Sequence, residues 1–118
     1  MTVQVGTDLV RVSRLENRGA GFLKRTFTTA EIELCAGRTQ SLAGRWAAKE
    51  AVMKALGVGI GELPMTDIEV GSEDSGRPVL SLRGMAHDLA EQAGIVSWSV
   101  SIAHDGDYAT ATVIGSGR

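Results

Sequence analysis

The stretch SLAGRWAAKEAVMKALGVGIG, residues 41–61, decides how this chain folds. Its first two thirds are rich in small and unbranched side chains that favour an α-helix, and Ser41 is a residue type that commonly caps a helix N-terminus. The run then gives way to glycines at every second position, Gly57, Gly59 and Gly61. Glycine often ends a helix because it adopts the left-handed conformation without strain. We therefore predict a helix that begins at Ser41 and stops at Gly57, followed by a glycine-spaced loop.

The charged residues of this helix lie on two lines. At about 100° per residue, Arg45 and Lys49 share one line, and Glu50 and Lys54 share a second line roughly 140° away. The opposite arc carries alanines, whose small side chains let a neighbouring element approach closely. We expect Glu50, next to that arc, to be partly desolvated and to need either Lys54 or a metal ion as a partner. An amphipathic helix with salt bridges one turn apart gives a similar pattern, but the rest of the chain favours a helix that holds a polyphosphate.

Length and composition indicate one small domain. The chain has 118 residues, and we expect a single domain over residues 1–118, close to the size at which association adds needed burial. A formal net charge of −2 with dispersed Lys and Arg argues against a nucleic-acid or membrane-surface binder. Cys35 is the one cysteine, which argues against a disulfide framework and suits a reduced compartment. No apolar run approaches the roughly 20 residues of a membrane span, so we expect a cytoplasmic protein without a membrane partner.

The remaining segments predict an α+β fold. Near the start, Val3, Val5 and Thr7 alternate with more polar residues, which predicts a strand that buries this face and leaves Asp8 on the other side near its end. Thr28 resembles the cap of a short helix that runs through Cys35. Further predicted elements are strands at 67–70 and 78–82, a helix at 85–93, and a hairpin of strands 98–102 and 108–114 around the dipeptide 105–106. Helices packed against a largely antiparallel sheet constitute an α+β fold.

Two groups of residues suggest chemistry. Asp8 and Glu50 could together hold Mg²⁺, which proteins usually bind with one or two carboxylates plus substrate phosphates; a turn-capping role is the alternative for Asp8. The basic residues Arg45, Lys49 and Lys54 precede a glycine loop, and this combination suits phosphate oxygens. The chain has no GxxxxGK[ST] motif, and the helix precedes the loop, so neither a P-loop nor a dinucleotide fingerprint is present.

His104 lies at the end of a predicted strand, where functional side chains are common, although a hydrogen-bonded structural histidine is the plainer interpretation. Ser99 and Ser101 alternate with apolar residues and could face a ligand or only the wetter side of the sheet. No nucleophile elbow or Ser-His-Asp order surrounds them, so the sequence does not support a serine hydrolase.

Six segments carry a family resemblance: GTDLVRVSRL (6–15), FTTAEIELC (27–35), AGRWAAKEAVMKALGVGIG (43–61), DIEV (67–70), SGRPVLSL (75–82) and WSVSIAH (98–104). In this order, along almost the whole chain, they resemble the small phosphopantetheinyl transferases of the holo-acyl-carrier-protein synthase type. The WAAKEAVMKALG block is the most specific match. The resemblance implies the fold of that family, in which a long helix and shorter helices pack on a small antiparallel sheet, in a single copy per chain.

The resemblance also implies a reaction. These enzymes transfer the 4′-phosphopantetheine arm of coenzyme A to a serine of an apo acyl carrier protein, release adenosine 3′,5′-bisphosphate and need Mg²⁺. By resemblance, Asp8 and Glu50 are the metal ligands and Lys54 is the lysine beside the diphosphate, and these three are the expected catalytic residues. Arg14 and Arg25 match basic positions that meet the acidic carrier protein. Together with Lys54, the residues that match coenzyme A-binding segments are Arg45, Lys49, Gly57, Gly59, Gly61, Arg77, Pro78, Ser101 and His104.

The chain departs from the family pattern at two positions. Ala103 stands where a Ser or Thr is common, which removes a hydrogen bond to the coenzyme, and Arg11 stands where an acidic residue is common, which bears on the choice of carrier. The acceptor of the serine proton is left open between Glu50, Asp8 and a water on the metal ion. We favour the water, because a carboxylate that binds the ion loses basicity.

A larger branch of the family carries two copies of this unit with the site between them, whereas this chain has one. The resemblance therefore implies a homo-oligomer, a trimer with three sites at its interfaces. Two other functions are compatible with the same pocket: a non-catalytic module that binds coenzyme A or a nucleotide for assembly, and a small hydrolase of coenzyme A. The presence of Asp8, Glu50 and Lys54 together favours the transferase. The sequence leaves open whether the carrier is a fatty-acid, a polyketide or a fused synthase domain.

Overall fold

The computed structural model describes residues 1–117 and has an α+β architecture. The elements are β1 (Thr2–Arg11), a 3₁₀ turn (Val12–Leu15), α1 (Ala20–Thr26), α2 (Thr29–Cys35), α3 (Thr39–Leu56), a second 3₁₀ turn (Met65–Asp67), β2 (Ile68–Ser72), β3 (Pro78–Leu82), α4 (Gly84–Gln92), β4 (Ile95–Asp105) and β5 (Tyr108–Gly117). All strand pairs are antiparallel, in a three-stranded sheet of order β1-β5-β4 and a separate two-stranded sheet β2-β3. Among the described residues, no helix combines the length and apolar character that a membrane span requires.

Helix α3 lies directly on the three-stranded sheet. Ala47, Ala48 and Ala51 on the sheet-facing side have no exposed surface. A side chain at Gly6 of β1 would place its Cβ 1.8 Å from the carbonyl oxygen of Ala51, so only glycine is compatible with this approach. The prediction that the alanine arc allows close packing is thus confirmed.

The face that β1 buries is the reverse of the predicted one. Val3, Val5 and Leu9 are 55, 63 and 63% exposed, whereas Gly6 and Val10 on the other face are buried. Alternation of apolar residues indicated a strand correctly but could not identify its packing partner. That partner is α3, which approaches β1 most closely at Gly6. Asp8 is on the same strand face as Gly6 and Val10, so it points toward α3.

The ends of the helices match the predictions in part. Gly57 ends α3 in the left-handed conformation with φ 76°, as predicted. Ser41 does not cap this helix, because α3 already begins at Thr39, and the preceding Arg38 makes no capping bond with its side chain. Thr28 caps α2 as predicted, in a reciprocal capping box with Glu31.

A buried ion pair joins α2 to the middle of α3. Lys49 Nζ lies 2.7 Å from Glu31 Oε1, and neither side chain has exposed surface. Lys49 also donates to the carbonyl oxygen of Met65 at 3.0 Å and to that of Ile68. Burial lowers the pKa of Lys49, and the charge of Glu31 opposes this shift. The prediction that Lys49 lines a coenzyme site is therefore wrong for this structure, since its ammonium group is inside the protein with all three hydrogens engaged.

We expect the Lys49→Met variant to lose about 3–5 kcal/mol of unfolding free energy, because an unpaired Glu31 carboxylate is left in the interior. The double variant Glu31→Gln/Lys49→Met should lose less, since neither partner is then charged. Urea denaturation measures both, with the exposed Lys24→Met as the matched control. A Lys49→Met variant as stable as the control would contradict the interpretation.

Candidate active site

Strand β1 and helix α3 bring Asp8 and Lys54 together. Lys54 Nζ lies 2.9 Å from Asp8 Oδ1 and donates at 3.0 Å to the carbonyl oxygen of Thr7. The other carboxylate oxygen, Asp8 Oδ2, is buried and has no hydrogen-bond partner among the described residues. A buried carboxylate oxygen without a partner is costly, so this position is suited to a cation.

Glu50 lies beside Asp8. It is half-buried, and burial raises its pKa to about 7. The adjacent Asp8 adds to the shift, by hydrogen bonding when one of the two is protonated and by repulsion when both are charged, while Arg14 and Lys54 act in the opposite direction. Two neighbouring carboxylates that resist ionising together form a site that a divalent cation would stabilise.

The donor set fits a hard cation such as Mg²⁺. Carboxylate oxygens are its preferred ligands, and it normally keeps several waters and takes further oxygens from substrate phosphates. Within residues 1–117 there is no cluster of three or more His, Cys, Asp or Glu side chains. Asp8 and Glu50 would therefore be the only ligands from side chains of this type, with coordination completed from outside the chain.

The glycine loop borders this pair of carboxylates. A cavity of about 110 Å³ is lined by Glu50, Met53, Lys54, Val58, Gly59 and Ile60. The structure thus brings Gly59 next to Glu50 and Lys54, where its amide currently donates to Glu62 Oε2 at 2.7 Å. Gly57 and Gly61 shape the loop, both with positive φ, and do not line this cavity.

Three other predicted coenzyme residues, Arg45, Pro78 and His104, line a second cavity, of about 210 Å³. It is lined by Ser41, Gly44, Arg45, Ser72, Gly76, Pro78, Ile102 and His104, and we name it the hairpin cleft because β2 and β3 supply one wall. Arg45 reaches across it, with Nε 3.1 Å from the carbonyl oxygen of Val70 and Nη2 3.3 Å from Ser72 Oγ. His104 Nε2 lies 2.9 Å from the carbonyl oxygen of Gln40.

Sequence reasoning missed several lining residues of the hairpin cleft. Ser41 shares a helix face with Arg45 through i, i+4 spacing and with Gly44 through i, i+3 spacing, and Ile102 shares the strand face of His104 through i, i+2 spacing. These periodicities could have indicated them. Ser72 and Gly76 belong to a polar turn, and only the folded hairpin brings them to the cleft.

Of the remaining predicted coenzyme residues, Ser101 and Arg77 also lie outside the hairpin cleft. Ser101 alternates with Ile102 along β4, so its side chain is on the opposite face of the sheet. Arg77 is exposed and borders a neighbouring groove with Pro78 and Trp98. Within one chain, the structure therefore separates both from the group around Arg45.

Helix α3 lies between the two cavities. The register pairs Asp8 with Ala111 and Ala111 with Ile102, so Asp8 lies on one edge strand, β1, and the cleft residues Ile102 and His104 lie on the other, β4. No residue lines both cavities. One chain therefore carries the two cavities on opposite sides of the same helix.

The predicted carrier-binding arginines are exposed. The Arg14 guanidinium lies 4.9 Å from the centre of the Trp46 ring, and Arg18, which the sequence analysis did not single out, lies 4.5 Å from that of Phe22. No ion pair among residues 1–117 involves Arg14, Arg18 or Arg25. Aromatic faces hold Arg14 and Arg18, and although Arg18 Nε donates to the carbonyl oxygen of Arg14 at 2.8 Å, neither guanidinium has a carboxylate partner in the described chain.

We expect Glu50→Gln to stabilise the metal-free protein at pH 8. The folded-state pKa of Glu50 is about 7, above its ordinary value of 4.5, so ionisation destabilises the fold progressively as the pH rises between these values. The variant should gain on the order of 1–3 kcal/mol at pH 8 and nothing near pH 4.5. Chemical denaturation with a chelator present measures this.

The exposed Glu33→Gln is the matched control, and it should show no pH-dependent gain. Mg²⁺ should stabilise the wild type at pH 8 and leave Glu50→Gln unaffected, because binding to the folded state alone raises stability. An equal Mg²⁺ response in both proteins would remove Glu50 from the proposed metal site.

Known proteins are similar to this chain in sequence and in fold. The model of the 4′-phosphopantetheinyl transferase superfamily matches residues 4–113. The chain is 42% identical to a holo-[acyl-carrier-protein] synthase of Herpetosiphon aurantiacus, over 95% of this chain and 97% of the relative. It is 47% identical to that of Gloeobacter violaceus, over 93% and 89%.

Solved structures of holo-[acyl-carrier-protein] synthases have the same fold as this chain. The holo-[acyl-carrier-protein] synthase of Helicobacter pylori in complex with coenzyme A superposes with a TM-score of 0.84 at 37% identity, covering 95% of this chain and 99% of that one. The Chronobacterium ammoniagenes complex with coenzyme A gives a TM-score of 0.86 at 35% identity, covering 100% and 99%.

Proposed function

Because this chain belongs to the 4′-phosphopantetheinyl transferase superfamily, we propose that it is the enzyme that transfers the phosphopantetheine arm of coenzyme A to a serine of an apo acyl carrier protein. The family and the α+β fold predicted from sequence are confirmed. Adenosine 3′,5′-bisphosphate is the other product. The observation that carries the proposal is the pair of neighbouring carboxylates, Asp8 and Glu50, beside Lys54. A diphosphate needs positive charge around it, which a metal ion on the two carboxylates and the Lys54 ammonium would supply.

Asp8 and Glu50 would hold Mg²⁺, which when bound neutralises charge on the diphosphate. Lys54 would act on the leaving group. Its side chain is 57% exposed, so the ammonium can turn from Asp8 to an oxygen of the departing bisphosphate and neutralise or protonate it. Our prediction that water accepts the serine proton stays a prediction.

The hairpin cleft suits the nucleotide end of coenzyme A. Arg45 and His104 present cationic and hydrogen-bonding groups, while Pro78 and Ile102 supply apolar surface. A concave site that combines apolar surface with a few convergent polar groups is the usual form of a small-molecule site. Arg77, at the rim of the neighbouring groove, could reach a phosphate that extends out of the cleft.

Assembly would complete the site. Since α3 separates the carboxylates from the hairpin cleft in one chain, we propose that the carboxylate side of one copy faces the cleft of the next. Contacts between two different surfaces close into a ring when the rotation allows, and a trimer is the ring we expect. The exposed Val3, Val5, Leu9 and Ile114 support association, because they form an apolar area on the outer sheet face.

The carrier would approach the side that bears Arg14 and Arg25. Exposed guanidinium groups without carboxylate partners in the described chain fit an acidic protein surface. We place the protein in the cytoplasm, an assignment that the free, buried Cys35 supports.

The transfer reaction can be tested by mass spectrometry of an apo carrier protein mixed with this chain, coenzyme A and Mg²⁺. We expect the carrier to gain one phosphopantetheine group, and Asp8→Asn or Glu50→Gln to slow the gain at least about 100-fold by removing charge stabilisation. Release of phosphopantetheine without a carrier would indicate a hydrolase instead. Coenzyme binding with an unmodified carrier would indicate a non-catalytic module.

The shared site can be tested by complementation. Asp8→Asn damages the carboxylate side and Arg45→Met damages the cleft, so each variant alone should be nearly inactive. Co-expressed chains should recover roughly a quarter of wild-type activity, because random assembly pairs an intact side with an intact cleft at that frequency. A mixture no more active than its separate components, or an active monomer in sedimentation, would show that each chain holds a whole site.

A further inference from the structure

The β2–β3 hairpin is attached to the rest of the fold by an unusual set of contacts. It forms its own two-stranded sheet and shares no ladder with the three-stranded sheet. Strand β2 pairs with β3 along one edge only. The backbone groups on its other edge must therefore find partners elsewhere, because buried N–H and C=O groups are costly when unpaired.

Charged side chains of α2 and α3 form hydrogen bonds with the backbone groups on that free edge of β2. Lys49 of α3 donates to the carbonyl oxygen of Ile68, and Glu31 of α2 accepts from the amide of Val70 at 2.8 Å. Arg45 donates to the carbonyl oxygen of the same Val70 at 3.1 Å. The Glu31–Lys49 ion pair thus joins both helices to one strand edge, where a β-strand would otherwise pair.

This edge lies next to the hairpin cleft. Ser72, two residues beyond Val70, lines the cleft together with Gly76 and Pro78, and all three belong to the hairpin. The facing wall consists of residues of α3 and β4. A shift of the β2 edge relative to α3 therefore changes the separation of the two walls and the position of Arg45 between them.

We propose that Glu31 and Lys49 are positioning residues for coenzyme A, which hold the free edge of β2 against α3 and so set the width of the hairpin cleft. This inference rests on the proposed function in taking coenzyme A as the ligand. Neither side chain has exposed surface, so both act through the hairpin. Their hydrogen bonds are directional and connect α2, α3 and β2. A cleft that is already held in its binding geometry binds a ligand more tightly, because less free energy is lost in ordering the cleft when the ligand binds.

Stability alone is a weak explanation for the pair. Replacing a buried ion pair with uncharged residues of similar volume is often neutral for stability. Methionine at position 49 would fill much of the same space but could not donate to the Ile68 and Met65 carbonyl oxygens. The positioning role therefore predicts a defect in coenzyme binding that exceeds any defect in folding.

The test compares Glu31→Gln/Lys49→Met with Val113→Ala, a core substitution that removes buried methyl groups from β5, a strand that pairs with β1 and β4 and not with the hairpin. Calorimetry measures the coenzyme A Kd, and steady-state assays of the transfer separate both KM values from kcat. We expect the double variant to raise the Kd and KM for coenzyme A at least about tenfold with an unchanged carrier KM. Val113→Ala should change neither KM. A wild-type Kd in the double variant, or an equal rise in Val113→Ala, would overturn the proposal.

Hydrogen exchange on the wild-type protein gives a second test that needs no variant. Coenzyme A should slow exchange of the Val70 amide, which Glu31 holds, more than that of the Val113 amide, which reports global opening, because coupling between sites is reciprocal. Equal protection of both amides would count against positioning. If the carrier stays unmodified while Kd and exchange respond as expected, the proposed transfer fails but the positioning role stands.

Discussion

The close approach of α3 to β1 is the constraint on which the rest of the structure depends. No side chain fits at Gly6, where a Cβ would lie 1.8 Å from the Ala51 carbonyl oxygen. Burying this face of β1 turns Asp8 toward α3 and Lys54, and it leaves Val5 and Leu9 on the outside. The proximity of Asp8 to Lys54 and the exposed apolar area on the outer sheet face are therefore two consequences of the same packing.

The charged residues of α3 have three different roles, which their positions around the helix separate. Lys49 is inside, where it joins Glu31 to the β2 edge. Arg45 spans the hairpin cleft, and Glu50 and Lys54 flank Asp8 on the other side. A helix with charges on several sides is unstable in a uniform apolar core, and this one persists because each charge has a partner or solvent.

Sequence patterns identified the elements well where local chemistry dictates them. The capping box at Thr28, the left-handed end of α3 at Gly57 and the terminal hairpin all depend on residues near one another in the chain. The predictions were wrong where distant segments decide. Arg45 and Lys49 share a helix line, yet a 3₁₀ turn and β2 enclose only Lys49, and alternation could not tell which face of β1 meets the helix.

The sequence by itself determined the family and the α+β class, because six segments in a fixed order carry the resemblance. The same resemblance singled out Asp8, Glu50 and Lys54, whose roles in the reaction are proposals. Only the tertiary structure decided that Lys49 is a buried anchor, that Ser101 lies on the far sheet face, and that the two cavities lie on opposite sides of α3. The physical reason is that burial and proximity across the fold depend on which faces pack together. Spacing along the chain decides which side chains share a face of a helix or strand, but it does not decide which element packs against that face.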